Sequence, residues 1–169
     1  MNTTLTDELQ QHLGYRFSDL DLLHLALTHS STGARNYERL EHLGDAVLNL
    51  AVTDWLYRDF PHFGPGQMSI LRAELVRATT LARFARRLDL PWMVRLSLQA
   101  DGQGLRHRTT LLSDIFEAVL GAVVVDTGSL LPPVARITRE LAAPLAYTVM
   151  QRDPGFYRVP VQKHRLHHP

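Results

Sequence analysis

Five acidic side chains stand at helical spacing in two stretches of the chain. Glu38, Glu41 and Asp45 lie three and four residues apart, and Asp114 and Glu117 lie three apart. Residues at this spacing share one face of a helix, so each stretch predicts a row of carboxylates. Ionised carboxylates are rarely buried unless they are paired or bind a metal. If the two rows face each other, they form a site for a divalent cation.

The second row lies in a stretch that is apolar in almost every direction. Residues 111–125 surround Asp114 and Glu117 with apolar side chains, a pattern typical of a helix buried on most sides. The chain has no cysteine, and carboxylate oxygens suit hard cations such as Mg²⁺, for which Mn²⁺ can substitute. Such a cation offsets the repulsion among clustered acids, polarises phosphate oxygens and activates water. Facing acid rows therefore favour phosphodiester hydrolysis.

Two other interpretations of the acids stay open at this point. Glu38 and Glu41 also fit the solvated face of an amphipathic helix, paired with Arg35 or Arg39. A buried ion-pair network without metal is the second alternative. A di-iron carboxylate bundle fits poorly, because it needs a histidine three residues after a glutamate and neither acid row has one.

One glycine interrupts each acid-bearing helix. Gly44 and Gly121 lie within the two stretches, where a glycine costs roughly 0.5–1 kcal/mol relative to alanine. We expect these glycines to let the two helices approach closely and so to bring the acid rows together.

The rest of the pattern is also helical, so the predicted fold class is all-α, without strands. Ser18 and Asn36 are the predicted N-caps of the second and third helices. A glycine- and proline-containing loop is predicted at 62–66 and a polar, basic connector at 99–108. Residues 1–150 are expected to form one domain, and 151–169 a basic, mobile tail. The predicted helices span about residues 4–13, 18–27, 36–59, 67–88, 109–126 and 132–150.

Composition favours a soluble cytoplasmic protein without a membrane span. The 169 residues are 45% hydrophobic and 21% charged, and no apolar run approaches the roughly 18 residues of a spanning helix. The start of the chain lacks the form of a signal peptide. Residues 1–59 have a net charge of −5 and residues 60–169 one of +6, and 17 of the 18 basic residues are arginine. Arginine suits phosphate contact, although a genome-wide preference for arginine codons would give the same composition.

The first acid row lies within a longer motif. Residues 37–48 read Tyr-Glu-Arg-Leu-Glu-His-Leu-Gly-Asp-Ala-Val-Leu. This stretch resembles the signature of the ribonuclease III catalytic domain, usually written Asn-Glu-Arg-Leu-Glu-Phe-Leu-Gly-Asp-Ala-Val-Leu. Residues 27–30, 68–76 and 112–121 resemble further motifs of that family in the same order and spacing. The resemblance covers about residues 5–148.

The resemblance implies a dimeric, all-α endonuclease domain that cuts double-stranded RNA. Its products would have 5′-phosphate and 3′-hydroxyl ends with short 3′ overhangs, and its substrates would be structured precursors such as ribosomal RNA. Carried over by position, Glu41, Asp45, Asp114 and Glu117 would hold Mg²⁺. Asp45 and Glu117 would be the most directly catalytic residues, and Glu38 would lie beside the cleft.

Four arginines are candidates for contact with the RNA backbone: Arg72, Arg77, Arg106 and Arg108. Double-stranded RNA is recognised mainly through its shape, phosphates and 2′-hydroxyls, so weak sequence preference is expected. A solvated surface role is the alternative for each of these side chains.

The chain departs from the family pattern in three places. His42 stands where an aromatic residue usually packs across the dimer interface, so dimer strength is expected to depend on pH. Pro65 stands where a glutamate is common, which puts an accessory acidic role there in doubt. From Gln151 the chain has a basic tail where the family's double-stranded RNA-binding domain would begin. We therefore expect weaker and more salt-sensitive RNA binding, and whether a separate RNA-binding partner supplies the missing contacts stays open.

A second function is compatible with the same fold. A non-catalytic RNA-binding or ribosome-associated protein could have this architecture, but such a relative would be expected to lose the metal-binding acids. All four acids are present here, which favours the enzyme.

Overall fold

The computed structural model describes residues 3–129 and 132–152. Over this part of the chain the backbone forms α-helices and no strand, and one isolated bridge pairs Thr28 with Arg95. The all-α prediction is confirmed. The helices are α1 (Thr3–Leu13), α2 (Leu20–Ala26), α3 (Glu38–Asp59), α4 (Pro65–Val76), α5 (Ala78–Arg87), α6 (Leu90–Met93), α7 (Leu98–Gly102), α8 (Thr109–Thr127) and α9 (Pro132–Arg152).

Helix α8 is the central element of the fold. Its side chains from Leu111 to Val124 are buried except at Asp114 and Glu117, as the apolar sequence predicted. Helices α3 and α5 make its largest interfaces, and α2 and α9 also pack against it. The helix ends before Gly128, whose positive φ of 63° suits glycine.

Side-chain hydrogen bonds hold the starts of α2 and α3. The N-cap position of α3 is Tyr37 and not Asn36, and Asn36, one residue earlier, accepts a hydrogen bond from the Glu38 amide at 3.0 Å. The cap of α2 is Asp19 and not Ser18, because Asp19 accepts from the Asp21 amide at 2.9 Å. The Ser18 amide instead donates to Asp126 at the end of α8.

The single helix predicted over residues 67–88 is wrong, because the chain breaks at Arg77. This residue is extended (φ −66°, ψ 146°) between α4 and α5. Thr80 is buried, and its hydroxyl donates to the Glu74 carbonyl at 2.8 Å, near the break. Helix α4 also starts earlier than expected, at Pro65, since proline is favoured in the first turn of a helix.

Two other predicted segments contain more helix than expected. The connector 99–108 includes most of α7 and a 3₁₀ turn at Leu105–His107. Gln151 and Arg152 extend α9 into the predicted tail, and the rest of that tail lies outside the described residues. Among the described helices, none has the length and apolar character needed to cross a membrane.

Candidate active site

The two acid-bearing helices touch backbone to backbone where α3 crosses α8. A Cβ atom added to Gly44 would overlap the carbonyl oxygen of Glu117, and one added to Gly121 would overlap that of Leu40. Since any larger residue would push the helices apart, the paired glycines explain how the acid rows come so close. The predicted role of both glycines is confirmed.

Three of the predicted acids converge beside this crossing. Glu41 of α3 and Asp114 and Glu117 of α8 each place one carboxylate oxygen within 4.8 Å of the other two. All three side chains are half-buried. We call these three residues the acid cluster. The donor set contains only carboxylate oxygens, which fits a hard divalent cation such as Mg²⁺ or Mn²⁺.

Burial and mutual repulsion disfavour full ionisation of the acid cluster. Burial, as the largest cause, and the charges of Asp45, Asp114 and Glu41 together raise the pKa of Glu117 to about 8. Burial also raises the pKa of Glu41, with Asp114 and Glu38 contributing. The pKa of Asp114 is raised by burial as well, although its hydrogen-bond donors oppose the shift. A bound cation would relieve this repulsion.

Asp45 and Glu38 lie beside the acid cluster and not within it. Asp45 is exposed, and its carboxylate accepts a hydrogen bond from Asn49 at 2.8 Å. Its charge nevertheless acts on Glu117. Glu38 is exposed at the start of α3 and lines a surface cavity of about 860 Å³ together with Arg35 and Arg39. The structure therefore gives the five predicted acids unequal positions.

Tyr37 and Ser113 lie next to the cluster, and sequence reasoning assigned neither of them a role. Burial, as the largest cause, and the nearby charge of Asp114 raise the pKa of the Tyr37 hydroxyl. The Ser113 hydroxyl also approaches Asp114, at 3.3 Å. His29 is near enough for its charge to lower the pKa of Asp114. In the sequence, only the adjacency of Tyr37 to Glu38 and of Ser113 to Asp114 hinted at these positions.

The four candidate RNA-binding arginines differ in how they are held. The Arg106 guanidinium makes four hydrogen bonds: it donates to both carboxylate oxygens of Asp101 and to the carbonyls of Pro91 and Val94. Arg77 pairs with Glu74 at 2.9 Å. Arg72 and Arg108 are exposed. Neither has an ion pair or a side-chain hydrogen bond to the described part of the chain.

The two departures from the family motif within the described residues are at the surface. His42 is exposed on α3. Pro65 opens α4 and lines a mainly apolar cavity of about 830 Å³, with Tyr57, Phe60 and Phe63 among its neighbours. This cavity is separate from the acid cluster, since none of the three acids lines it.

Comparisons with known proteins agree with this geometry. A sequence model for a family described as ribonuclease-III-like matches residues 19–131. The ribonuclease 3 of Campylobacter concisus is 46% identical over 125 residues, which are 73% of this chain and 56% of that protein. The ribonuclease 3 of Pseudomonas aeruginosa strain LESB58 is 46% identical over 122 residues, or 72% and 53% of the two chains. The chain thus spans little more than half the length of these relatives.

Solved structures show the same fold. The nuclease domain of ribonuclease III from Campylobacter jejuni superimposes with a TM-score of 0.73 at 35% identity, covering 88% of this chain and 97% of that one. A second structure of that domain, described for flexibility in a region involved in dimer formation, gives 0.72 at 36% identity over 84% and 96%. Dicer from Pichia stipitis gives 0.65 at 26% identity over 88% and 65%.

Proposed function

Because the chain belongs to the ribonuclease III-like family, we propose that it is a metal-dependent endonuclease that cleaves double-stranded RNA. The observation that carries the proposal is the convergence of Glu41, Asp114 and Glu117 at the glycine crossing of α3 and α8. Nothing in the packing of two apolar helices requires three half-buried acids at one point.

The acid cluster is the proposed metal-binding set, with Asp45 as the fourth acid beside it. Its oxygen-only donors favour Mg²⁺, with Mn²⁺ as a substitute. When bound, such a cation supplies Lewis acidity to a phosphate oxygen and lowers the pKa of a coordinated water. We assign the most direct roles to Asp45 and Glu117, and we expect 5′-phosphate and 3′-hydroxyl ends. Glu38, exposed next to the cluster, is assigned to the rim of the cleft.

The substrate proposal rests on the family and on arginines that have no partner among the described residues. Arg72 and Arg108 are the better candidates for phosphate contact, since neither is paired to another described side chain. Arg77 and Arg106 remain candidates, but each would exchange an existing partner, Glu74 or Asp101, for a phosphate. Recognition through phosphates implies binding that weakens steeply with salt.

A homodimer is the proposed assembly. Four exposed residues of α3 stand at helical spacing and form what we call the α3 stripe: His42, Ala46, Leu50 and Tyr57. Leu50 is 47% exposed and Tyr57 is 72% exposed, so the stripe presents apolar surface that a second copy would cover. The C. jejuni nuclease domain has a region involved in dimer formation. Two acid clusters per dimer would make paired cuts and leave short 3′ overhangs.

The dimer is tested by substituting Leu50→Lys and measuring mass by light scattering after gel filtration. A charge in the middle of the stripe should convert the dimer to a monomer at micromolar concentration. Leu98→Lys is the matched control, because Leu98 is 94% exposed on α7 and lies off the stripe. If the wild type is a monomer, the paired-cut proposal is wrong. If Leu50→Lys remains a dimer, the α3 stripe is not the dimer interface.

The cellular role is the broadest part of the proposal. We propose processing of structured precursor RNA such as ribosomal RNA in the cytoplasm, where such precursors are folded and accessible. A separate protein that binds double-stranded RNA would raise the affinity of the complex without changing the acid cluster.

Cleavage of a labelled RNA duplex tests the central proposal. Mg²⁺ should support cleavage, while EDTA or Glu117→Gln should abolish it, with a loss of about 10³-fold or more for a residue at the reacting centre. Glu8→Gln, an exposed acid of α1, should cleave normally. Equal RNA loss in all reactions would reveal a contaminating nuclease. Duplex binding without cleavage under any condition would favour the non-catalytic RNA-binding protein instead.

A further inference from the structure

Two surface cavities adjoin each other between α2 and the segment that follows α6. The first has a volume of about 330 Å³ and the second a volume of about 450 Å³. Because His24 and Arg95 line both cavities, they form one continuous depression, which we call the α2–α6 groove. None of the three acids of the cluster is among the described residues that line this groove. The groove is therefore a second place on the molecule where a ligand could bind.

The first cavity contains two arginines that no described residue engages. Arg35 and Arg95 line it and are exposed, and neither side chain has an ion pair or a hydrogen bond within the described part of the chain. The backbone of Arg95 is fixed, because its amide donates to the Leu27 carbonyl at 2.8 Å and its carbonyl accepts from the His29 amide at 3.0 Å. Two guanidinium groups thus border one small cavity, and each has its donors available.

The other polar groups of this cavity leave the arginines as its main donors. The Thr28 hydroxyl donates to the His24 carbonyl at 2.6 Å. The Thr32 hydroxyl donates in the same way to the His29 carbonyl, at 2.8 Å. Asp21 is the single acid among the described residues that line the groove, and its carboxylate lies 3.8 Å from the Nδ1 of His24. Two free arginines against one acid favour an anion, and planar guanidinium donors match the oxygens of a phosphate group.

An exposed tryptophan lies at the other end of the groove. Trp92 lines the second cavity and is 65% exposed, although His107 contacts its ring with centroids 5.6 Å apart. The turn that carries Trp92 is held from behind, since the Arg106 guanidinium donates to the carbonyls of Pro91 and Val94 at 2.6 and 2.9 Å. A fixed backbone therefore presents a large flat ring to solvent, where a planar apolar group of a ligand would cover it.

Packing within the chain does not explain these exposed side chains. Arg106 shows how a structural arginine is held here, because its side chain is 18% exposed and makes four hydrogen bonds. Arg35 and Arg95 make none. The chain has two tryptophans, and Trp55 is buried at 6% exposure whereas Trp92 is not. An arginine-rich composition accounts for single exposed arginines, but it does not account for an exposed tryptophan in the adjoining cavity.

We propose that the α2–α6 groove binds a nucleoside phosphate, with the phosphate held by Arg35 and Arg95 and the base stacked on Trp92. Proteins bind unpaired nucleotides by this combination of a cationic contact to phosphate and an aromatic contact to the base. A free nucleotide and the unpaired, 5′-phosphorylated end of an RNA strand present the same chemistry to the groove. Binding here does not depend on the metal-dependent cleavage proposed above, because no member of the acid cluster takes part.

The test is binding of AMP to the full chain in EDTA, measured by isothermal titration calorimetry. EDTA ensures that no cation at the acid cluster attracts the phosphate. The double variant Arg35→Gln/Arg95→Gln should bind AMP at least about tenfold more weakly, because it loses charged hydrogen bonds. Trp92→Ala should bind it about tenfold more weakly, and Trp92→Phe should restore most of the loss. Arg83→Gln is the matched control, since Arg83 is exposed on α5 and lines neither cavity.

Two fragments of AMP test the two halves of the site separately. Adenosine lacks the phosphate and inorganic phosphate lacks the base, so each should bind at least about tenfold more weakly than AMP. If either binds as tightly as AMP, the groove is not a site for a nucleoside phosphate. The proposal is also wrong if the wild type binds no AMP at millimolar concentration, or if the folded double arginine variant binds AMP as the wild type does. Should that variant not fold, the comparison of Trp92→Ala with Trp92→Phe decides, and equal AMP binding by these two overturns the proposal.

Competition with RNA identifies the source of the ligand. A hairpin RNA with an unpaired, 5′-phosphorylated end and the same hairpin with a blunt end are each titrated against bound AMP in EDTA. Displacement by the first hairpin alone identifies an RNA end as the ligand, and displacement by neither identifies a free nucleotide. Equal displacement by both would mean that the groove binds backbone phosphates without an unpaired base, which contradicts the proposal. Cleavage of duplex RNA in Mg²⁺ is measured on the same protein, so failure of the proposed function would appear there and not in the AMP titration.

Discussion

The acid-bearing crossing and the arginine-bearing segments of this protein are organised in different ways. At the crossing, two helices meet backbone to backbone at Gly44 and Gly121. The carboxylate side chains there are short, so the helix backbones determine where they lie. In the segments from α4 to the start of α8, long arginine side chains are positioned by local partners, or by none. Spacing in the sequence therefore predicts which acids meet, but it does not predict which arginines are available to a ligand.

The largest effect should come from breaking the crossing itself. Gly44→Ala places a methyl group against the Glu117 carbonyl, and the helices must separate to make room. We expect a loss of about 3 kcal/mol or more in the free energy of unfolding, which lowers Tm by roughly 6–12 °C, together with loss of Mn²⁺ binding. Thermal unfolding and Mn²⁺ titration measure both. Gly66→Ala is the control, since an added Cβ there meets nothing within 4 Å. If Gly66→Ala loses as much stability as Gly44→Ala, the close approach of α3 and α8 does not explain the effect.

The contrast between Arg106 and Arg108 sharpens the comparison on the arginine side. Arg106→Gln should lower the free energy of unfolding by about 1–3 kcal/mol, because two backbone carbonyls lose their donor. Arg108→Gln should leave stability within about 0.5 kcal/mol and reduce the salt dependence of duplex binding by roughly one charge. Denaturant unfolding and binding at several salt concentrations test this. If Arg108→Gln lowers stability, or if Arg106→Gln is as stable as the wild type, then the assignment of Arg106 to stability and of Arg108 to RNA binding is wrong.

A smaller effect should appear in the pH dependence of the metal-free protein. The folded state raises the pKa of Glu117 from 4.5 to about 8, so between these values the folded protein retains a proton that the unfolded chain releases. The contribution of Glu117 to stability therefore becomes less favourable as pH rises through this window. In EDTA, the Tm of Glu117→Gln relative to the wild type should increase from pH 5.5 to pH 8. A difference that does not change with pH would mean that Glu117 ionises normally in the folded state.

Much of this site could be predicted from the sequence because it depends on helical periodicity. Asp114 and Glu117 lie at a spacing that places them on one face of α8, Glu41 shares a face of α3 with Glu38 and Asp45, and the glycines mark where the two helices can approach. Asp45 belongs to the same row but turns to Asn49, a choice between side-chain rotamers that spacing does not determine. The effect of the Asp114 charge on Tyr37 links residues 77 positions apart, and only the packed fold brings them together.

The break at Arg77 illustrates a different limit. No glycine or proline interrupts residues 67–88, so a continuous helix was the reasonable prediction. The structure instead stabilises the break through tertiary burial of Thr80 and its bond to the Glu74 carbonyl. Such a bond competes with helix continuation only when the threonine is held in the core. Local sequence therefore favoured one helix, and packing against α8 favoured two.

The burial of α8 has a consequence for the lifetime of the site. Segments at active sites are often among the first to open in the native ensemble, whereas the most enclosed helix of a domain opens only with global unfolding. Asp114 and Glu117 lie on such an enclosed helix, because the residues around them from Leu111 to Val124 are buried. The amides of this stretch should be among the slowest in the protein to exchange with solvent deuterium. Thermal fluctuations that open surface loops would then leave the α8 half of the site intact until the whole fold is lost.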